Sequence, residues 1–415
     1  MKNLMLRQLP RVLLVLGLVP LTPLSALTLE QTLTLAEQQA PALQSLRLQQ
    51  QAAGSEAQAA GQLPDPRLSF GLQNVPIEGD NPGRLDADNM SMQSLSLTQE
   101  VPNRDRRSAQ RDLAEAIESS AGAQYQVERF EVRLGIADVW LRLHGVEQQL
   151  ALFDELYKQN DLLATAIAAR LSGGQGALAE QPMAAIERAQ LEQRHDQLRA
   201  QQAGLQAASR RWLGEQAISQ TQGNWPQWPL DESGWRQRLE QQQLPQLARY
   251  QPLQQESAAA LRLAQADLRP DWSWGLAYQR RGMGLDDMVS VQLSIDLPVF
   301  PGRRQQPRIA ARELQLAAVQ QEQESWQRRL AAELAAELSE YHRLTAAVAR
   351  SAEQLLPLAE QRADLAMADY RSGRGSLDAL AVARSARTEA QLAHVQWQTE
   401  RALSHARLQL TWGDN

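Results

Sequence analysis

The fold is decided by two short stretches, Trp272-Ser273-Trp274-Gly275-Leu276-Ala277-Tyr278 and Val289-Ser290-Val291-Gln292-Leu293-Ser294-Ile295-Asp296-Leu297. In both, large apolar side chains alternate with small or polar ones, which is the period of a β-strand with one apolar face and one polar face. The loop between them, residues 280–287, is rich in turn residues and predicts a hairpin. A sheet of this kind must cover its apolar face, and what covers it decides the class of protein.

The first half of the chain carries a weaker form of the same pattern. Residues 68–72 and 95–97 alternate in the same way, whereas Met90 and Met92 are out of phase with the leucines that follow. We therefore expect a β-bulge near residues 93–94, with the two methionines facing lipid or filling the bulge rather than binding a soft metal. Four strands are predicted, at about residues 67–75, 90–101, 271–279 and 288–297.

These strands belong to a duplication that runs along the whole chain. Pro64-Asp65 recurs as Pro270-Asp271, 206 residues later, and Arg106-Arg107 recurs as Arg303-Arg304, 197 residues later. Further matches occur in the same order: residues 41–43 with 245–247, 97–102 with 294–298, Leu171-Ser172-Gly173 with Arg371-Ser372-Gly373, and Leu213-Gly214 with Trp412-Gly413. Because a period near 200 is too long for a solenoid repeat, the chain is predicted to hold two copies of one large unit.

Each unit is predicted to contain a helix, two strands, a long helix, a break and a return helix. The proline-free run over residues 103–171 predicts a helix about 100 Å long, and Pro357 is expected to kink or break its counterpart. The predicted organisation is a first repeat over residues 27–214 with long helix 103–171 and return helix 177–213, a linker over 215–233, and a second repeat over 234–415 with long helix 303–371 and return helix 376–411.

The N-terminus indicates export. Residues 1–26 have a positive start, an apolar run over residues 12–19 and a small residue at Ala26, which predicts a secretory signal peptide cleaved near Ala26. A signal anchor is the alternative. The apolar run is too short to cross a bilayer as a helix.

Composition excludes several classes of function. The mean hydropathy of −0.45 excludes a bundle of membrane-spanning helices. The 48 acidic residues outnumber the 42 basic ones, so no nucleic-acid partner is expected. The chain has no cysteine, which excludes disulfides and thiolate metal sites.

No catalytic constellation is present, so we predict neither an enzyme nor a cofactor. The histidines are His144, His195, His342, His394 and His405. None lies three or four residues from another, so no metal site is predicted from their spacing.

The strands and the long helices together predict one kind of object. Each unpaired backbone group in hydrocarbon costs several kcal/mol, so four strands in a membrane must close into a barrel with strands from other copies. Three chains would supply about twelve strands, within the range of outer-membrane barrels. The aromatic residues of 272–278 would form the interfacial girdle. A soluble coiled-coil protein with two incidental hairpins is the alternative.

The chain resembles the TolC family of outer-membrane efflux proteins over essentially its whole mature length. The resemblance rests on the duplication, the opening Leu27-Thr28-Leu29-Glu30-Gln31-Thr32-Leu33, the Pro-Asp before each first strand and the Ser-Gly breaks. Three shorter motifs, at residues 62–67, 74–76 and 99–104, resemble the heavy-metal branch that works with resistance–nodulation–division pumps.

The resemblance implies a mainly α fold with a small β part: a homotrimer with a twelve-stranded barrel in the outer membrane and a long periplasmic α-helical barrel. It implies a passive conduit that receives cargo from a periplasmic adaptor and an inner-membrane resistance–nodulation–division pump. Heavy-metal cations are the expected cargo, with drugs or a type I secreted protein as the alternative. A periplasmic coiled-coil adaptor without a pore is the alternative from another class.

The resemblance also assigns roles to residues at the helix breaks. The expected adaptor-docking tips are Leu171, Ser172, Gly173 and Gly174 in the first half, with Arg371, Ser372 and Gly373 in the second. Asp378 is expected either to contribute to a ring of acids at the pore aperture or to be a favourable carboxylate at a helix start.

Overall fold

The computed structural model describes residues 26–80, 82–85, 89–174, 176–282 and 284–413. The signal peptide predicted for residues 1–26 lies, except for Ala26, outside the described residues. The helices within the described residues are α1 (Leu29–Gln39), α2 (Pro41–Ala59), α3 (Arg104–Ala151), α4 (Phe153–Ser172), α5 (Met183–Leu213), α6 (Glu232–Glu240), α7 (Pro245–Ala248), α8 (Tyr250–Ala266), α9 (Pro301–Arg350), α10 (Leu356–Arg371) and α11 (Leu377–Trp412). The strands are β1 (Arg67–Gln73), β2 (Met92–Val101), β3 (Trp272–Arg281) and β4 (Met288–Ile295).

These strands form one antiparallel sheet in the order β1-β2-β3-β4. Each half supplies one hairpin, and β2 joins the hairpins by pairing with β3, with Val101 opposite Trp272 and Thr98 opposite Gly275. The register puts the aromatic, leucine, isoleucine and valine side chains of all strands on one face, which also carries Gln93 and Gln99. That apolar face consists of Leu68, Phe70, Leu72, Leu95, Leu97, Val101, Trp272, Trp274, Leu276, Tyr278, Val289, Val291, Leu293 and Ile295.

The first hairpin differs from the prediction in two respects. The bulge expected near residues 93–94 is wrong, because β1 and β2 pair without interruption from Thr98 to Met92. The strand begins at Met92, whose side chain lies on the polar face with Ser94, and Met90 precedes it in a turn. β1 ends at Gln73 because Asn74 adopts a positive φ of 53°, which turns the chain out of the strand.

Both long helices are interrupted, whereas one continuous helix was predicted for residues 103–171. The first breaks at Leu152, where the backbone tightens by a hydrogen bond from Leu152 N to Gln149 O at 3.1 Å. In the second half, residues Ser351–Leu355 form a π-helical turn that ends two residues before Pro357. Proline lacks the N–H that would bond four residues back, so the expected interruption at Pro357 is present. Among the described residues, no helix combines the length and the apolar character needed to cross a membrane.

The main core lies where the helices of both halves meet. Leu33, Ile136, Trp140 and Leu403 are buried together there, drawn from α1, α3 and α11. The segment predicted as a linker, residues 215–233, packs against this core, and its Ile218 is buried in the same cluster. A parallel bridge between Leu27 and Thr221 fastens the segment to the start of α1. The predicted fold class, mainly α with a small β part and an internal repeat, is confirmed.

Candidate functional site at the helix tips

The first tip, residues 170–174, ends the hairpin formed by α4 and α5. Gly173 caps α4 with φ −80°, and Gly174 follows with φ +72°. Gly173 N donates to Ala169 O, and Gly174 N donates to Leu171 O, both at 3.1 Å. The left-handed backbone at Gly174 is the conformation that glycine adopts without a Cβ penalty, so it ends the helix.

The second tip, residues 370–375, ends the hairpin formed by α10 and α11. Gly373 has φ +79° and donates its N–H to Tyr370 O at 3.1 Å, while Arg374 N donates to Asp369 O at 3.0 Å. These two bonds are the Schellman pattern of a helix end. Ser376 then caps α11 by accepting a hydrogen bond from Ala379 N at 3.2 Å.

The structure aligns the two tips with a shift of one residue relative to the alignment predicted from the sequence. The left-handed glycines are Gly174 and Gly373, 199 residues apart, whereas the sequence had matched Gly173 with Gly373. Gly173 has a φ that any residue can adopt, so its glycine is not required by the turn. A Cβ added at Gly174 or at Gly373 would meet no atom within 4 Å, so both positions face open space.

Tyr370 joins the two tips. Arg170 Nη1 donates to Tyr370 O at 2.9 Å, and the Arg170 guanidinium lies 4.3 Å from the centroid of the Tyr370 ring. The Tyr370 hydroxyl donates to Glu180 Oε2 at 2.9 Å. Its ring is fully buried with Leu163 and Leu380. Burial, followed by the hydrogen bond to Glu180, raises the pKa of Tyr370 to about 12.

A second set of polar contacts connects the hairpins farther from the tips. Arg384 on α11 is buried and forms an ion pair with Glu187 on α5, with Arg384 Nη2 2.7 Å from Glu187 Oε1. Arg387, one helical turn later, donates to Gln159 on α4. Sequence reasoning missed these residues. The only local signal was an aromatic residue, Tyr370, directly before the second break.

Asp378 lies in the first turn of α11, where its exposed carboxylate is close to the helix N-terminus. Leu377 and Leu380 on either side are buried, so Asp378 points away from the packed side of the helix. That position suits the favourable helix-start carboxylate. A ring of such acids needs other copies of the chain, so the aperture role stays a prediction.

The histidines lie apart from the tips. His144 is buried between the rings of Trp140 and Trp225, with Nδ1 2.8 Å from Thr221 Oγ1, and burial lowers the pKa of His144. Burial likewise lowers the pKa of His405. Within the described residues, no cluster of three or more histidine and carboxylate side chains could hold a metal ion.

The geometry defines a protomer built from long helical hairpins that end in exposed tips and carry one amphipathic four-stranded sheet at the opposite end of the long helices. No protein-family model matches the sequence, and no curated protein matches it. Solved structures with the same fold match the chain.

A membrane protein from Pseudomonas aeruginosa is 17% identical with a TM-score of 0.80, covering 93% of this chain and 90% of that one. CusC, whose structures were studied for transmembrane channel formation, is 14% identical with a TM-score of 0.79, covering 94% and 92%. The outer membrane protein VceC from Vibrio cholerae is 17% identical with a TM-score of 0.78, covering 93% and 96%. The chain therefore shares the fold of these proteins, a helical barrel protomer with a β-barrel contribution.

We expect Tyr370→Ala to loosen both tips and Tyr370→Phe to have a small effect. Removing the buried ring costs about 3–5 kcal/mol, whereas removing only the hydroxyl costs about 1 kcal/mol, roughly a fivefold change in an opening equilibrium. The rate of trypsin cleavage after Arg371 and Arg374 measures this opening. Equal cleavage rates in both variants would contradict a packing role for the ring.

The hydroxyl contribution should also depend on pH. The folded tip raises the pKa of Tyr370 from 10.0 to about 12, so its neutral form is the one that is stabilised. The contribution is complete below pH 10.0 and is lost as the pH rises through about 12. The difference in thermal stability between the unsubstituted protein and the Tyr370→Phe variant, measured by circular dichroism, should therefore shrink over this range.

Proposed function

We propose that the chain is the outer-membrane channel of a tripartite efflux system. Three copies would form a passive conduit from a periplasmic adaptor and an inner-membrane resistance–nodulation–division pump to the exterior. The observation that carries this proposal is the exposed apolar face of the sheet.

This face exposes more contiguous apolar surface than a soluble monomer usually does. Phe70 is 72% exposed and Val291 80% exposed, and the apolar residues of the four strands form one contiguous surface around them. Soluble monomers rarely expose contiguous apolar patches larger than about 300–600 Å². Contact with lipid removes the free-energy cost of exposing these apolar side chains to water, so a position in the outer membrane accounts for the face.

The opposite face suits a water-filled lumen. It carries Ser94, Ser96 and Thr98 on β2, and Ser290 and Gln292 on β4. These side chains are polar and hydrogen-bond water, and the same face carries charged residues at Arg67, Glu100 and Arg281. The sheet in the order β1-β2-β3-β4 must close in lipid, because its two outer edges carry backbone groups that hydrocarbon cannot satisfy.

The helices supply the periplasmic part of the conduit. α3 has 48 residues and α9 has 50, which at about 1.5 Å per residue are rods of about 70 Å. α4 and α10 continue them to the two tips. The exposed residues at Ser172–Gly174 and Arg371–Gly373 would be the surface that contacts the adaptor.

Heavy-metal cations are the proposed cargo. The support is the resemblance of residues 62–67, 74–76 and 99–104 to the heavy-metal branch of the TolC family. The sheet and the tips are equally compatible with drug export, which is the second candidate.

Two measurements test the proposal. The mature chain, purified from the outer membrane in detergent, should form trimers that conduct ions across a planar bilayer. A monodisperse monomer without detergent would overturn the channel. A deletion strain should lose resistance to a panel of divalent and monovalent heavy-metal salts. Sensitivity to drugs alone would overturn the metal cargo and leave the channel standing.

A further inference from the structure

The two repeats pack against each other in a way that leaves one packing position open at each end of the chain. α8 of the second repeat lies between α3 and α9, and α3 packs on both α2 and α8. α9 is the repeat counterpart of α3, and it packs on its own α8. Among the described residues, α9 has no neighbour in the place that α8 takes beside α3. The repeat counterpart of α8 is α2.

The junction inside the chain is held by a specific polar contact at the base of the sheet. Asp271, which precedes β3, forms an ion pair with Arg106 near the start of α3. The same carboxylate accepts hydrogen bonds from Asn103 N at 2.7 Å and from Asn103 Nδ2 at 2.9 Å. Arg106 also lies 3.4 Å from Asp267. These contacts connect the second repeat to the first.

The offsets between the two repeats identify the residues that correspond to this ion pair at the open ends. Asp271 is the counterpart of Asp65 at the offset of 206, and Arg106 is the counterpart of Arg303 at the offset of 197. Asp65 and Arg303 are both exposed. The charges that pair within the chain are thus retained at the two open ends, one acidic and one basic.

The same offsets, applied to the strands, predict how β4 of one copy pairs with β1 of the next. The hairpin registers, Arg67 opposite Thr98 and Trp272 opposite Ile295, agree with offsets of 206 for β1 to β3 and 196 for β2 to β4. Within the chain, Thr98 lies opposite Gly275. The offsets convert this pair into Ser294 of one copy opposite Ser69 of the next. The transferred register keeps the apolar faces aligned, because it also sets Leu293 opposite Phe70.

The helices set the level of the junction but do not repeat its second ion pair. Within the chain, Arg262 on α8 lies 3.3 Å from Asp112 on α3. The counterparts are Glu56 on α2 and Ile309 on α9, and Ile309 is uncharged and buried within the protomer. At that alignment, Leu48 and Leu314 lie within about one helical turn of the same level. They are 65% and 73% exposed, so the junction would cover two apolar side chains that otherwise face water.

In a closed trimeric barrel, β4 of one copy lies beside β1 of the next. We propose that this junction repeats the β2–β3 junction within the chain, with Arg303 of one copy in an ion pair with Asp65 of the next and with Ser294 opposite Ser69. Because the two edges are different surfaces, the contact is head-to-tail, and it forms a ring when the rotation between copies closes, as in the trimer of the proposed function. The inference rests on the proposed function, which supplies the trimer.

Thiol cross-linking tests the register. The chain has no cysteine, so any cross-link comes from introduced residues. The variant Ser69→Cys/Ser294→Cys, treated in outer-membrane vesicles with a bifunctional thiol reagent spanning about 5 Å, should give covalent dimers and trimers. The matched control Ser69→Cys/Ser290→Cys moves one thiol four residues, about 13 Å along β4, and should give at least tenfold less.

Charge reversal tests the ion pair. Asp65→Arg and Arg303→Asp should each lower the fraction of trimer that resists mild detergent denaturation at least fivefold, and the double variant should restore it to within twofold. Asp80→Arg, an exposed acid away from the junction, should have no effect. Failure of the double variant to restore the trimer would overturn the ion pair.

The outcomes separate this inference from the proposed function. A trimer measured by size-exclusion chromatography with light scattering in mild detergent, together with no thiol cross-link for Ser69→Cys/Ser294→Cys, would overturn the register while the channel stands. No oligomer by either method would overturn both.

Discussion

Replacing Val291 with arginine is expected to prevent accumulation of the protein in the outer membrane. Val291 lies in the middle of β4 on the apolar face and is 80% exposed. An arginine on the lipid face near the bilayer midplane costs about 2–4 kcal/mol per site. A trimer bears that penalty at three sites, so the folded, membrane-inserted state should be depleted by orders of magnitude. Quantitative immunoblotting of outer-membrane fractions measures the loss.

The adjacent position is the matched control. Gln292 lies on the polar face of the same strand, opposite Gly275. Gln292→Arg would place the charge in the lumen, so the variant should accumulate at close to the normal level. Leu293→Arg should repeat the defect of Val291→Arg, and Ser290→Arg should repeat the tolerance of Gln292→Arg. Equal damage at odd and even positions would show that the sheet does not have one lipid face.

The strands could be predicted because their pattern is local. Residues 272–278 and 289–295 alternate without an error, and the structure pairs them as a hairpin. The order of the four strands was not predicted, because the duplication alone does not decide which strand of one hairpin pairs with the other hairpin; the structure pairs β2 with β3. The first hairpin has a less regular pattern. A single methionine on the polar face, Met92, produced the false prediction of a bulge.

The remaining features depend on contacts that the sequence does not encode locally. The break at Leu152 has no proline or glycine to mark it. The contacts of Tyr370 with Arg170 and Glu180 join residues about 200 positions apart, and the ion pair of Arg384 with Glu187 does the same. The left-handed glycine of the first tip was misplaced by one residue, since Gly173 and Gly174 are adjacent and only backbone geometry distinguishes them. The docking role of both tips stays a prediction.

Replacing Gly373 with tryptophan is expected to abolish efflux while leaving the trimer intact. A residue with a Cβ in the left-handed backbone of Gly373 costs about 1–2 kcal/mol. A Cβ there meets no atom of the chain within 4 Å, so no steric cost is added within the protomer. The indole would instead occupy the space in front of the tip, where the adaptor is proposed to dock. Cells with Gly373→Trp should be as sensitive to the cargo as a deletion strain, and their outer-membrane trimer should be unchanged. Gly174→Trp, at the left-handed position of the first tip, should act in the same direction.

Gly214→Trp separates the backbone cost from obstruction of a partner. Gly214 also has a positive φ, of 55°, and a Cβ there also meets no atom within 4 Å, but it follows α5 at the end away from the tips. The variant therefore carries at least the same strain without a bulky group at the proposed docking surface, and it should keep normal resistance. Normal resistance with tryptophan at both Gly174 and Gly373 would mean that the adaptor docks elsewhere. Loss of the trimer in Gly373→Trp would mean that this glycine is needed for assembly, since the chain itself leaves room for the side chain.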